Sequence, residues 1–236
     1  MNEQHKRALD KALIWIRDNF KPIVIIVTGS IVRENPNFNS DLDIYVIHED
    51  NFRQRIQKYF NSIPCEIFVN NIKHINKYLE EEYEDNRPIT AHMISTGKVL
   101  IGNDNKEFKK LMQSANEFLL KSPGLSDKKK IYRKYMISSL FEDATDVKDT
   151  DVLTGTYFLN KMVSDIIDYI FISNSIPLPR SKERIKYLEM NFPDIWKLIS
   201  SYYTSEDFFN KYDIAKILVG KIAGEYGFFE WASGQE

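Results

Sequence analysis

The chain is poor in cysteine and histidine. It carries one cysteine, Cys65, and four histidines in 236 residues. A single thiol excludes an internal disulfide, and the histidines offer no zinc-ligand spacing. No Ser-His-Asp or Cys-His arrangement is evident, which removes the usual routes to a nucleophilic side chain. No apolar run approaches the roughly 18 residues of a membrane span. The opening MNEQHKRALDKALIWIRDNF reads as a polar, amphipathic helix, without the basic stub and apolar core of a signal peptide. An excess of one charge is missing too. Lys and Arg number 32 against 34 Asp and Glu, a net charge of −2, so no global basic signature points to nucleic acid. There is no internal repeat and no low-complexity tract. These absences predict a cytoplasmic protein, a monomer or a homodimer, long enough for one large or two modest domains.

What is present is concentrated in one stretch, VTGSIVRENPNFNSDLDIYVI. An apolar run, Ile23 to Val27, delivers the turn Gly29-Ser30. Ten residues later Asp41-Leu42-Asp43 opens a second apolar run, Ile44 to Ile47. Side chains alternate along a strand, so Asp41 and Asp43 project from one face. Two carboxylates held together repel unless a divalent cation lies between them. The Gly-Ser turn offers backbone N–H groups and a hydroxyl to a phosphate, and Arg33 in the following loop is placed to meet a triphosphate oxygen. Taken singly, each feature has a plainer reading: a strand turn, an Asx cap, an edge charge at Glu66. Their order and spacing favour phosphoryl or nucleotidyl chemistry. Glu66, inside the apolar run Ile63 to Val69, supplies a third carboxylate, and an unpaired buried carboxylate is costly. If that strand lies beside the Asp41/Asp43 strand, three carboxylates converge to hold two Mg²⁺ ions on a triphosphate, with one placed to take a proton.

The remaining pattern predicts an α+β N-terminal domain, residues 1–121, with a mixed sheet flanked by helices. A helix is expected over about 2–19, with Leu9, Leu13, Ile14 and Ile16 near one face. Strands are expected at Ile23–Val27, Asp41–Ile47, around Glu66 and at Lys98–Ile101, with a helix over about Asn51–Asn61. Pro88 breaks the next helical pattern, and another helix runs from about Asn105 to Lys121. Ser122-Pro123-Gly124 reads as a linker. Residues 125–236 show no convincing strand and predict a helical bundle. Its helices are expected from Ser126 or Asp127 to about Lys148, Asp151 to Asn174, Ser181 to Met190, Pro193 to Tyr202, and from about Ser205 to Tyr226 or as far as Trp231. Ile131, Tyr135, Ile137, Leu140 and Phe141 are apolar candidates on the first of these, and Leu153, Tyr157, Met162, Ile166, Ile167 and Ile170 on the second. His48 is expected at the surface.

Gly29, Ser30, Ser40, Asp41 and Asp43 resemble the signature of the DNA-polymerase-β-like nucleotidyltransferase superfamily, and within it the bacterial aminoglycoside nucleotidyltransferases of the streptomycin/spectinomycin type. Glu66 matches the third carboxylate of that family. The resemblance covers about residues 20–103; the second half shares only an aromatic helix end, a proline and a lysine-bearing helix, Phe171 through Lys182. It implies that Asp41 and Asp43 bind Mg²⁺, that Glu66 is ligand and general base, and that Lys182 binds phosphate; Arg180 and Arg184 are the fallback phosphate contacts. The expected donor is ATP, and the expected acceptor is a hydroxyl-bearing small molecule, such as an aminoglycoside-like antibiotic, bound by the helical half. Glu142, Asp143, Asp165 and Asp168 are candidates for a cationic acceptor, although solvated or salt-bridged helix faces are the simpler reading. Modification of a protein or RNA, and a non-catalytic nucleotide sensor, are the alternatives.

Overall fold

The computed structural model describes residues 1–32, 40–120, 124–224 and 226–232. The chain divides into two compact units, Met1–Lys121 and Ser122–Glu236. The first holds a five-stranded mixed sheet of β1 (Val24–Thr28), β2 (Leu42–His48), β3 (Gln54–Phe60), β4 (Ile63–Asn71) and β5 (Lys98–Ile101), in spatial order β3-β4-β2-β1-β5. β2 and β4 run parallel; the other pairings are antiparallel. β1 and β2 read as near-continuous apolar runs because both faces are covered along most of their length. One face packs Leu42, Ile44, Cys65, Ile67 and Ile25 against Ala8, Leu9, Ala12 and Ile16 of α1 (Glu3–Asn19). On the other, Val24, Ile26, Tyr45 and Ile47 pack against α2 (Ile75–Glu84), α3 (Ile89–Thr96) and α4 (Lys106–Leu119).

The segment expected as a helix over Asn51–Asn61 is instead the edge strand β3. Phe52, Ile56 and Phe60 recur every four residues, a spacing that fits nearly one helical turn and also two strand periods. The structure takes the strand solution: Ile56 and Phe60 join the α1-side core, and β3 returns through a hairpin to pair with β4. The hairpin turns on Asn61 (φ 48°) and Ser62 (φ 63°), both in the left-handed region. With β3 as the connection, β2 and β4 become parallel without a crossover helix.

Other expectations shift by single positions. Asp41 precedes β2 and is not part of it. Ile14 on α1 is 59% exposed, since the buried stripe runs through Ala8, Ala12 and Ile16. His48 is fully buried, its ring 4.3 Å from that of Phe52 and its Nε2 3.2 Å from the Phe52 carbonyl oxygen. It ends β2 on the α1-side face, where the residues just before β3 fold back over it.

The second unit is helical throughout its described elements: α5 (Asp127–Val147), α6 (Val152–Ser173), α7 (Ser181–Asn191), α8 (Pro193–Thr204) and α9 (Phe208–Ala223). Ser126, Asp151 and Asp207 cap α5, α6 and α9 through side-chain oxygens, and Pro193 begins α8 where no helical N–H is needed. Its core gathers Ile137, Phe141, Met162, Ile166, Phe171 and Leu218. Ile131, Leu153 and Tyr157 are exposed, on sides of α5 and α6 turned away from that core.

Candidate active site

β2 and β4 place the carboxylates. In their parallel register Asp43 lies directly opposite Glu66, and Thr28 of β1 opposes Asp43 on the other side. Leu42 and Ile44 face α1, as do Cys65 and Ile67. Alternation therefore turns Asp43 and Glu66 to the other face, with Asp41 two residues before Asp43. The Asp43 and Tyr45 positions share this face, but only Tyr45 reaches the helix-covered core. Asp43 and Glu66 are part-exposed at the same end of neighbouring strands.

The turn after β1 closes onto Asp43. Gly29 adopts φ +86°, and a Cβ there would stand 2.2 Å from Asp43 Oδ2 and 3.1 Å from its Cγ. Only glycine leaves that carboxylate its space. Ser30 Oγ donates to Ser40 Oγ at 3.0 Å, bringing the two hydroxyls predicted to hold phosphate side by side. Ser40 is buried, and its carbonyl oxygen accepts from His5 Nε2 at 2.9 Å. His5 Nδ1 lies 2.7 Å from Oδ1 of Asn2, the residue that caps α1. The first turn of α1 thus pins the end of the loop that leads into Asp41.

Glu66 is engaged from β3. Arg55 Nε donates to Glu66 Oε1, and Gln57 Nε2 donates to the same oxygen at 3.2 Å. The Glu66 side chain is 16% exposed and that of Arg55 65%. The hydrogen bond to the Glu66 carboxylate holds the Arg55 guanidinium still further above its ordinary value, and the Asp43 charge adds to this. Arg55 lies 5.2 Å over the Phe68 ring, and Arg53 4.2 Å over that of Tyr78 on α2. Behind the carboxylates, burial pushes the Cys65 thiol up to about 12, with the Asp41 and Asp43 charges reinforcing it, so Cys65 is an unreactive core residue. Sequence reasoning missed His5, Arg55 and Gln57. The last two become visible once QRIQKYF is read with a period of two, which sets Arg55 and Gln57 on the Glu66 face.

The donor set suits a hard divalent cation. Asp41 and Asp43 offer carboxylate oxygens alone, and magnesium is commonly held by one or two carboxylates completed by substrate phosphates. The cleared space beside Asp43 fits that use. Among the described residues no three His, Cys, Asp or Glu side chains gather into a metal cage. Glu66 is turned instead to Arg55 and Gln57.

Arg33 lies outside the described residues. Lys182 is an exposed residue in the first turn of α7 in the second unit, and Arg180 precedes that helix. Arg184 donates to Asp168 at 2.6 Å and to the Pro179 carbonyl at 3.1 Å, and Lys161 donates to both Asp165 oxygens at 2.5 and 2.6 Å. Asp165 and Asp168 thus take the salt-bridged reading. A cleft of about 1000 Å³, lined by Arg7, Asp10 and Lys11 of α1 and by Tyr59, Asn61 and Pro64 of the hairpin, does not include the carboxylates. Among the described residues, no helix is long and apolar enough to cross a membrane.

The model of the nucleotidyltransferase domain family matches residues 9–188. A crystal structure of a nucleotidyltransferase-like protein from Exiguobacterium sibiricum 255-15 superposes with a TM-score of 0.51 at 11% identity, covering 85% of this chain and 68% of that one. At that identity the likeness is one of fold. A search of curated proteins finds no match.

Proposed function

The chain belongs to the nucleotidyltransferase domain family, and from that membership we propose that it transfers AMP from ATP to a hydroxyl of a small-molecule acceptor, with release of pyrophosphate. The observation that carries this reading is the register of Asp43 opposite Glu66, with Gly29 closing onto Asp43. Magnesium held by Asp41 and Asp43 would neutralise charge on the triphosphate. The Ser30 and Ser40 hydroxyls, with the backbone N–H groups of the turn, orient phosphate oxygens. Glu66 accepts the proton of the acceptor hydroxyl. That oxygen bonds to the α-phosphorus, the bond from this phosphorus to the bridging oxygen breaks, and pyrophosphate leaves with the electron pair. Most of the acceleration comes from positioning and electrostatics.

The test is Mg²⁺-dependent pyrophosphate release from ATP across a panel of hydroxyl compounds, with mass spectrometry of each. An acceptor should gain one AMP mass. Asp43→Asn and Glu66→Gln should each lower the rate by about 10²-fold or more while melting like the wild type. Undiminished turnover in either variant would overturn the assigned roles.

A further inference from the structure

The surroundings of Glu66 bear on the charge of the acceptor. On the β2 side stand Asp41 and Asp43, where the triphosphate belongs. On the β3 side stand Arg55, Gln57 and, two residues before Arg55, Arg53. A hydroxyl brought to Glu66 from the β3 side meets the Arg55 guanidinium and the Gln57 amide, with Arg53 farther along, four residues before Gln57 and over Tyr78.

Both arginines are held ready. Arg55 lies over Phe68 with its Nε on Glu66, and Arg53 lies over Tyr78. A guanidinium carries five N–H donors in a fixed fork. With the Arg55 side chain 65% exposed, that fork faces solvent beside the carboxylate assigned to take the proton. The acidic group interacting with Arg53 from α2 is Glu82, which is already occupied: it accepts from the Thr90 N–H at 2.6 Å and the Thr90 hydroxyl at 2.7 Å. A polycationic acceptor would meet like charge here, which is costly. Of the four acidic residues that the sequence offered to such a cation, Asp165 and Asp168 are tied to Lys161 and Arg184.

We propose that the acceptor carries an anionic group, a phosphate or carboxylate, close to its attacking hydroxyl, and that Arg55 and Arg53 receive this anion. The proposal rests on the nucleotidyl-transfer reading and names the acceptor class for that same site. It selects an anionic sugar or polyol over an aminoglycoside.

The test is calorimetry on the full chain. MgATP is titrated first; absence of binding would overturn the nucleotidyl-transfer reading, and this proposal with it. Ribose phosphate and glycerol phosphate are then titrated in the presence of Mg²⁺ and α,β-methylene-ATP, beside ribose, glycerol and kanamycin. At least one phosphate ester should bind, and its neutral parent and kanamycin should not. Arg55→Gln should weaken that ester by about tenfold or more and leave MgATP affinity unchanged, while Arg55→Lys, which keeps the charge, should recover part of the loss. Three results would overturn the proposal although MgATP binds: no ester binds, kanamycin binds in preference, or Arg55→Gln weakens MgATP and the ester alike, which would make Arg55 a nucleotide contact. If Arg55→Gln melts early, Arg53→Gln is measured in its place against the same outcomes.

Discussion

Gly29→Ala is the most direct probe of how the turn after β1 serves the carboxylates. The added methyl would stand 2.2 Å from Asp43 Oδ2, whereas ordinary contact begins at 3.4 Å, so about 1.2 Å of displacement is required. The backbone cannot relax cheaply, because φ is +86° and an L side chain there costs about 1–2 kcal/mol. That cost corresponds to a drop in melting temperature of about 2–8 °C. A misplacement of about 1 Å at a reacting group costs on the order of 10²-fold in rate. The variant should therefore fold, melt a few degrees early and lose pyrophosphate release by about that factor, with weaker Mn²⁺ binding in electron paramagnetic resonance. Early melting with wild-type Mn²⁺ affinity and rate would refute the link between Gly29 and the placement of Asp43. Wild-type melting would refute the close approach itself.

Two further outcomes are expected. His5→Ala leaves the Ser40 carbonyl without its buried donor, at about 1–3 kcal/mol; scanning fluorimetry should show early melting and calorimetry weaker MgATP binding, and an unchanged melting temperature would contradict the pinning role of α1. Glu82 has its carboxyl raised above 4.5, chiefly by burial and in spite of the Thr90 hydrogen bonds. The folded state then holds the proton more tightly than the unfolded chain, so the contribution is complete below the unfolded value and is lost as pH rises through the folded one. Relative to wild type, Glu82→Gln should gain in melting temperature as pH rises from about 4 to 7, and a constant difference would refute this.

The strands of the candidate site were legible because buried strands write themselves as apolar runs bounded by turns; Asp43 and Glu66 interrupt those runs, and Asp41 stands just before one. The helices of the second unit were legible for a similar reason: Ser126 and Asp151 mark starts that local hydrogen bonding enforces, whereas the last helix, expected from about Ser205, starts at Phe208 after its Asp207 cap. β3 was not legible. Its four-residue apolar spacing satisfies two periods equally, and an edge strand has only one buried face to declare itself. Which competitor wins depends on β4, whose backbone pairs with all seven residues of β3. His48 was misjudged on similar grounds, since its burial depends on the Phe52 segment folding back over it.

The sequence by itself determined the family signature, the all-oxygen donor pair at Asp41 and Asp43, and the division between a sheet-bearing half and a helical half. These are local properties, carried by spacing, capping and side-chain chemistry. Tertiary structure alone decided that Glu66 lies opposite Asp43, that His5 of the first helix holds Ser40, and that Arg55 rather than a carboxylate meets Glu66. Each of these joins residues distant in the chain, and a contact of that kind is fixed by strand register and by which faces are buried together, quantities that no short window of sequence contains.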